Sequence, residues 1–329
     1  MKKVLDIAQP LITSYTDIAG MFSILGTIKN SSGWIINHFI QLLYMIAKDK
    51  SRPYFLDGTV RRGSLIIDAC PFFRHNKVSK EVIAKKWDKF TDFLEEYLSS
   101  SYYVFIELNI KFLSIARTPD DFIHQTFIYG YDKNERKVYI SDFYNGNAYS
   151  REVATYDEIN IAFLHSQDNT LHESRNDVWC IKVVDEVPKI PPNKELIKQS
   201  LINFYESSEI DINPRQDSVF FFGLSFYEEM IRQMKKNKRI MIALHILYDH
   251  KMMMRHRIEI LNEHGFIDPQ NYTLLCLANS ELIDRSLILR NLAAKAQFCN
   301  IDNGKLVLLS EELLAKDKAF TEMLIKSIC

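Results

Sequence analysis

The sequence predicts an α+β protein of two units, with helices and then an antiparallel sheet in residues 1–188 and a mostly α-helical unit in 189–329. Three observations carry this. Helical spacing of apolar residues dominates the first hundred residues. Runs of β-formers separated by polar turns follow, to about residue 184. Beyond Lys189-Ile-Pro-Pro-Asn193 the helical pattern returns, and the paired prolines make that segment a stiff linker.

The elements follow in order. Asp17 is expected to cap a helix over about 18–29, with Gly26 inside it and Asn30-Ser-Ser-Gly33 ending it. A second helix, 34–48, would place Ile35, Phe39, Leu42, Leu43 and Ile46 on one face. Residues 65–70 read as a short buried strand. Ser79 starts another amphipathic helix, running through Trp87, Phe90, Phe93, Leu94 and Leu98. Segments 102–109, 124–131 and 137–142 are rich in aromatic and β-branched residues and read as strands, with a polar turn at 132–136. Segment 179–184 reads as the last strand of this unit. Helices are then expected over about 194–207, 217–236, 238–263, 280–298 and 310–327. Met252-Met-Met254 lies in one of them and reads as core filling, with a flexible apolar ligand site as the alternative.

Hydrophobic residues make up 47% of the 329 and charged residues 25%, enough for a sizeable core. The net charge of -1 argues against nucleic acid as a partner, since phosphates need a basic face. Asp6, Gln9 and Pro10 interrupt the N-terminal apolar run too early for a signal peptide, and no apolar run reaches membrane-spanning length. A cytoplasmic protein without a membrane partner is expected. The cysteines are Cys70, Cys180, Cys276, Cys299 and Cys329. They form no CxxC pair and no Cys/His cluster, so reduced thiols and no metal are expected.

The stretch from Asp121 to Asp142 carries the most chemistry. His124 opens an apolar strand and Asp142 closes the next, 18 residues later. Adjacent antiparallel strands would set them side by side. A carboxylate beside an imidazole fixes its tautomer and stabilises its charged form, as a general base requires. A histidine that merely begins a core strand is the plainer reading.

The strand opening on His124, the Gly130-Tyr131-Asp132 turn and the strand ending on Asp142 together resemble the C39-type branch of papain-like cysteine peptidases. The resemblance implies a papain-like fold with His124 as base and Asp142 as orienter. It also implies a cysteine nucleophile at the start of the first long helix, where the helix terminus lowers a thiol's pKa. Ala19-Gly20-Met21-Phe22-Ser23 matches the family's Cys-x-x-Phe-Ser spacing, with alanine where cysteine belongs. Alanine cannot attack. The position reads either as a Cys→Ala replacement or as that of a natural pseudoenzyme. Oxyanion donors would come from the backbone N–H of residue 19 and from Gln9, Thr13 or Ser14. Cys70 precedes Pro71 without a helix start and is no substitute; Cys180 and Cys276 read as buried thiols.

The layout also looks like the butirosin-type acyl carrier protein:amine acyltransferases and the amide-forming papain-like enzymes of closthioamide-type thiotemplated biosynthesis. That resemblance implies thiol-dependent acyl transfer: a cysteine at position 19 takes the acyl group from the phosphopantetheine arm of an acyl or peptidyl carrier protein and passes it to an amine or peptide-like acceptor, with no bound cofactor, so the chain with Ala19 reads as an inactive Cys→Ala form of such an enzyme. The basic region at 230–257 (Lys235, Lys236, Lys238, Arg239, His245, His250, Arg255, His256, Arg257) reads as a solvated face or as a docking surface for that acidic partner. A C39-like cysteine peptidase and a non-catalytic binding module are the alternatives.

Overall fold

The computed structural model describes residues 1–47, 50–56, 66–144, 148–166, 176–209, 218–238, 240–296 and 303–329. In chain order the elements are β1 (Lys2–Val4), α1 (Thr16–Leu25), α2 (Ser32–Asn37), β2 (Gln41–Ala47), β3 (Lys50–Leu56), α3 (Ile66–Ala69), β4 (Phe73–Ser79), α4 (Lys80–Lys86) and α5 (Phe90–Ser99). Next come β5 (Tyr103–Asn109), β6 (Ile123–Asp132), β7 (Lys137–Asp142), β8 (Ser150–Thr155), α6 (Tyr156–Leu164) and β9 (Asp177–Val183). The chain ends with α7 (Lys194–Tyr205), β10 (Ser218–Phe222), α8 (Ser225–Lys235), α9 (Met241–Glu263), α10 (Pro269–Ala296) and α11 (Asn303–Ser327). The fold is α+β with antiparallel sheets and a largely helical C-terminal part.

Two compact units share these elements: Met1–Lys29 with Cys70–Pro188, and Asn30–Ala69 with Lys189–Cys329. Residues 30–69, placed in the first unit by the sequence, belong with the second.

The first unit is built on a sheet ordered β4-β9-β5-β6-β7-β8, with β1 added along β6. The β6–β7 hairpin closes where expected, because Asp132 Oδ1 accepts the N–H groups of Asn134 and Glu135 and folds the turn. Gly130 is needed in β6: a Cβ there would lie 2.9 Å from the Lys3 carbonyl oxygen of β1. Helix α1 packs on β6 and β7. Its approach depends on Gly20, whose added Cβ would sit 2.5 Å from Phe105 Cζ and 3.0 Å from Phe127 Cγ. Those two rings face each other across β5 and β6 and stack at 4.7 Å.

Several elements differ from expectation. Helix α1 starts at Thr16 with Tyr15 as N-cap, so Asp17 lies within the first turn, and Gly26 is the C-cap rather than interior. The expected 34–48 helix stops at Asn37. Phe39 takes a left-handed φ of 54°, and β2 follows, paired with β3 and β10. Leu42, Leu43 and Tyr44 are all buried, and a strand covered on both faces carries no alternation to separate it from a helix. Ile66–Ala69 is a helical turn rather than a strand, and Leu65 lies outside the described residues. The helix begun at Ser79 is two helices. Ser79 Oγ accepts the Val82 N–H, then extended backbone at Trp87 divides α4 from α5. The expected 217–236 helix is β10 and then α8, so the second unit contains a three-stranded sheet, β10-β2-β3.

The second unit holds buried charges. Arg257 is fully buried and donates to the carbonyls of Ile36 (2.9 Å), His38 (2.6 Å) and Phe39 (3.1 Å), satisfying the open end of α2. Lys251 pairs with Asp317, and Asp317 also accepts from the Tyr227 hydroxyl at 2.8 Å. His250 Nε2 meets the Ile40 carbonyl at 3.0 Å and its Nδ1 faces Lys251 Nζ at 2.8 Å. His250 and Arg257 are therefore interior residues and are corrected out of the expected docking surface; Arg239 lies outside the described residues. Met253 and Met254 are buried in the core of this unit.

Two outcomes follow in denaturant titrations. Gly20→Ala should lower stability by about 1–3 kcal/mol, because the new methyl must displace Phe105. Lys251→Met or Asp317→Leu alone should cost about 3–5 kcal/mol, and the double variant should cost less than either, because each single change strands a buried charge.

Candidate active site

The site forms where the ends of two strands meet the start of one helix. His124 is the second residue of β6 and Asp142 the last of β7. Their hairpin brings His124 Nδ1 to 2.6 Å from Asp142 Oδ2. The Asp142 side chain is fully buried, whereas that of His124 is 33% exposed. A carboxylate only accepts, so Nδ1 carries the proton and Nε2 is the nitrogen able to exchange one with a bound group.

Electrostatics act on His124 in both directions. Burial favours the neutral ring. The hydrogen bond and charge of Asp142 oppose it, with a smaller contribution from the Glu107 carboxylate of β5, and the imidazole ends above the ordinary histidine value. The Phe122 ring, 51% exposed, stacks on His124 at 5.4 Å. Tyr144 is buried nearby; its hydroxyl lies 3.4 Å from Thr126 Oγ1, and burial, reinforced by the Asp142 charge, keeps it protonated.

The other oxygen of Asp142 is also engaged. Thr16, the first residue of α1, donates its hydroxyl to Oδ1 at 2.6 Å. This residue was missed in the sequence. Assigning the cap to Asp17 moved the helix start downstream and left Thr16 outside it. Its signal was a hydroxyl immediately before an acid in a segment expected to open a helix.

Ala19 lies one turn further along α1 and is fully buried. Its N–H bonds the Tyr15 carbonyl at 2.8 Å, which corrects the expectation that it serves as an oxyanion donor. Its carbonyl accepts from Ser23 Oγ at 2.9 Å. In the segment leading into α1, Gln9 is exposed, Thr13 half-buried and Ser14 buried. The structure thus joins His124, Asp142 and Thr16, and sets Ala19 deeper in the helix.

The described cysteines are Cys70 and Cys180, both buried, Cys276, half-buried, and Cys329, exposed; Cys299 lies outside the described residues. Burial pushes the Cys180 thiol up to about 12, which makes it inert. Among the described residues, no three or more His, Cys, Asp or Glu side chains are grouped to hold a metal ion, and no helix is long and apolar enough to cross a membrane. No protein-family model matches the chain, and no curated protein matches it significantly.

The raised His124 value ties stability to pH. The group binds its proton more tightly folded than unfolded. Its contribution is therefore complete below the unfolded value of about 6.5 and is lost as pH rises through the higher folded value. Unfolding free energy measured against pH should fall across that interval, and His124→Gln should flatten the fall.

Proposed function

We propose that the first unit is a papain-like acyl-transfer domain that forms an amide from a carrier-protein-bound acyl thioester and an amine, in thiotemplated natural-product biosynthesis. The observation that carries this reading is the His124–Asp142 contact at 2.6 Å, with the carboxylate buried and the imidazole partly open. An antiparallel sheet with α1 laid against it, its first residue meeting the carboxylate, supports the papain-like assignment.

Each residue has a defined task. The amine nitrogen attacks the thioester carbonyl carbon while His124 Nε2 takes the amine's proton. The Asp142 carboxylate, held against Nδ1, balances the imidazolium. The carbon–sulfur bond breaks, and the imidazolium returns the proton to the departing phosphopantetheine thiolate. Thioester and amine become amide and thiol with no oxidant and no nucleotide. A thiol-dependent route needs a cysteine at position 19. This chain has Ala19 there and no cysteine in α1, and the proposed route for it is direct attack. Carrier-protein thioesters are cytoplasmic, and the reading places the protein with them.

The test supplies the full-length chain with an acylated carrier protein and butylamine, and follows the amide by mass spectrometry. His124→Ala should lower the rate by roughly 10²–10⁴-fold. Equal rates would overturn the reading. Carrier-protein binding without amide formation would favour the binding module. An acyl adduct on Ala19→Cys would favour the covalent route, and peptide hydrolysis by that variant would favour the peptidase.

A further inference from the structure

The Asp142 side chain has no exposure, and a buried carboxylate needs a donor on each oxygen. Both are present. His124 Nδ1 reaches Oδ2 at 2.6 Å and Thr16 Oγ1 reaches Oδ1 at 2.6 Å. The two donors come from different elements, β6 and α1, and meet on a third, β7.

We propose that Thr16 is a positioning residue: its hydroxyl locks the Asp142 carboxylate from the side opposite His124 and thereby fixes the plane of the imidazole.

The physical argument has three steps. A carboxylate held by one donor can turn about its Cβ–Cγ bond and exchange its oxygens, because that torsion is soft. Donors on both oxygens stop this rotation. The imidazole, held through Nδ1, then has one orientation and Nε2 one direction. The threonine side chain suits the task, since a β-branched residue in a helix has few χ1 positions and Thr16 is 4% exposed. It is not needed as a helix cap, because the N-cap residue is Tyr15.

The hydroxyl also tunes charge. A hydrogen bond to Oδ1 draws electron density from the carboxylate and competes with the imidazolium for it. Without the hydroxyl, Asp142 holds the His124 proton more strongly. One other carboxylate acts on the ring. Glu107 acts on His124 from β5 and on Lys80, whose Nζ donates to the Glu107 carbonyl at 2.7 Å. Asp17, beside Thr16, accepts the Ile18 N–H at 2.9 Å, and burial holds its carboxyl above the usual carboxylate range.

The role takes its purpose from the acyl-transfer reading, but its test does not require that activity. The measurement is an NMR titration of His124 in the full-length chain, wild type against Thr16→Val and Thr16→Ser. One hydrogen bond of about 1 kcal/mol corresponds to roughly 0.7 on the pH scale, so Thr16→Val should raise the His124 midpoint by about 0.5–1. Thr16→Ser, which keeps the hydroxyl, should return it to the wild-type value. Nitrogen shifts should report the Nδ1–H tautomer in both proteins, because Asp142 still accepts from Nδ1. Coincident titrations of folded wild type and Thr16→Val would overturn the proposal. If Thr16→Val does not fold, Thr16→Cys, with a weaker donor, should shift the midpoint in the same direction, and an unchanged midpoint there would overturn it equally. A shifted midpoint with no amide formed by the wild type leaves Thr16 in its role and removes the acyl-transfer reading. Amide formation with an unshifted midpoint does the reverse.

Discussion

The buried charge of Asp142 is the constraint on which the first unit depends. An ionised carboxylate taken fully out of water costs several kcal/mol unless donors and a counter-charge replace the water. The donors come from α1 and β6, so both must be placed to serve it. The β6–β7 register then has no freedom, since a slip of one residue would send His124 to the opposite face. Helix α1 must come close enough for Thr16 to touch the end of β7, and Gly20 permits that approach. Helix placement, strand register and site geometry are three statements of one requirement.

The second unit shows what buried polar groups look like when they only hold structure. His250 uses both ring nitrogens, on the Ile40 carbonyl and on Lys251, and has no exposure. Burial and the Lys251 charge drive it well below the ordinary histidine value, so it stays neutral. His124 differs in each respect. One nitrogen is committed, the ring is partly open, and its carboxylate partner favours the charged form. Burial together with saturation of donors separates the structural histidine from the one suited to proton transfer.

The site was legible in the sequence where one short hairpin determined it. The spacing of His124 and Asp142, with a polar turn between β-rich runs, is local information and needs only strand pairing. What failed was non-local. Segment 41–47 carries the spacing of a helix because residues 41–44 are buried on both faces, and only its partners β3 and β10 make it a strand. The assignment of 30–69 to the second unit depends on contacts with residues more than a hundred positions away, such as Asn37 with Pro191. Thr16 was lost through an error of two residues at a helix start, the least certain part of any helix.

That small error changes how the missing thiol is understood. Position 19 lies a full turn inside α1, with its N–H spent on the Tyr15 carbonyl. The influence of a helix terminus fades within the first turn, and burial raises a thiol's pKa, as it does at Cys180. A cysteine at 19 would gain little activation there. The residue that meets the His–Asp pair is Thr16, and its hydroxyl is given to the carboxylate rather than offered as a nucleophile. The hydroxyl that α1 brings to the His–Asp pair is therefore committed to Asp142, while position 19 carries alanine one turn further on.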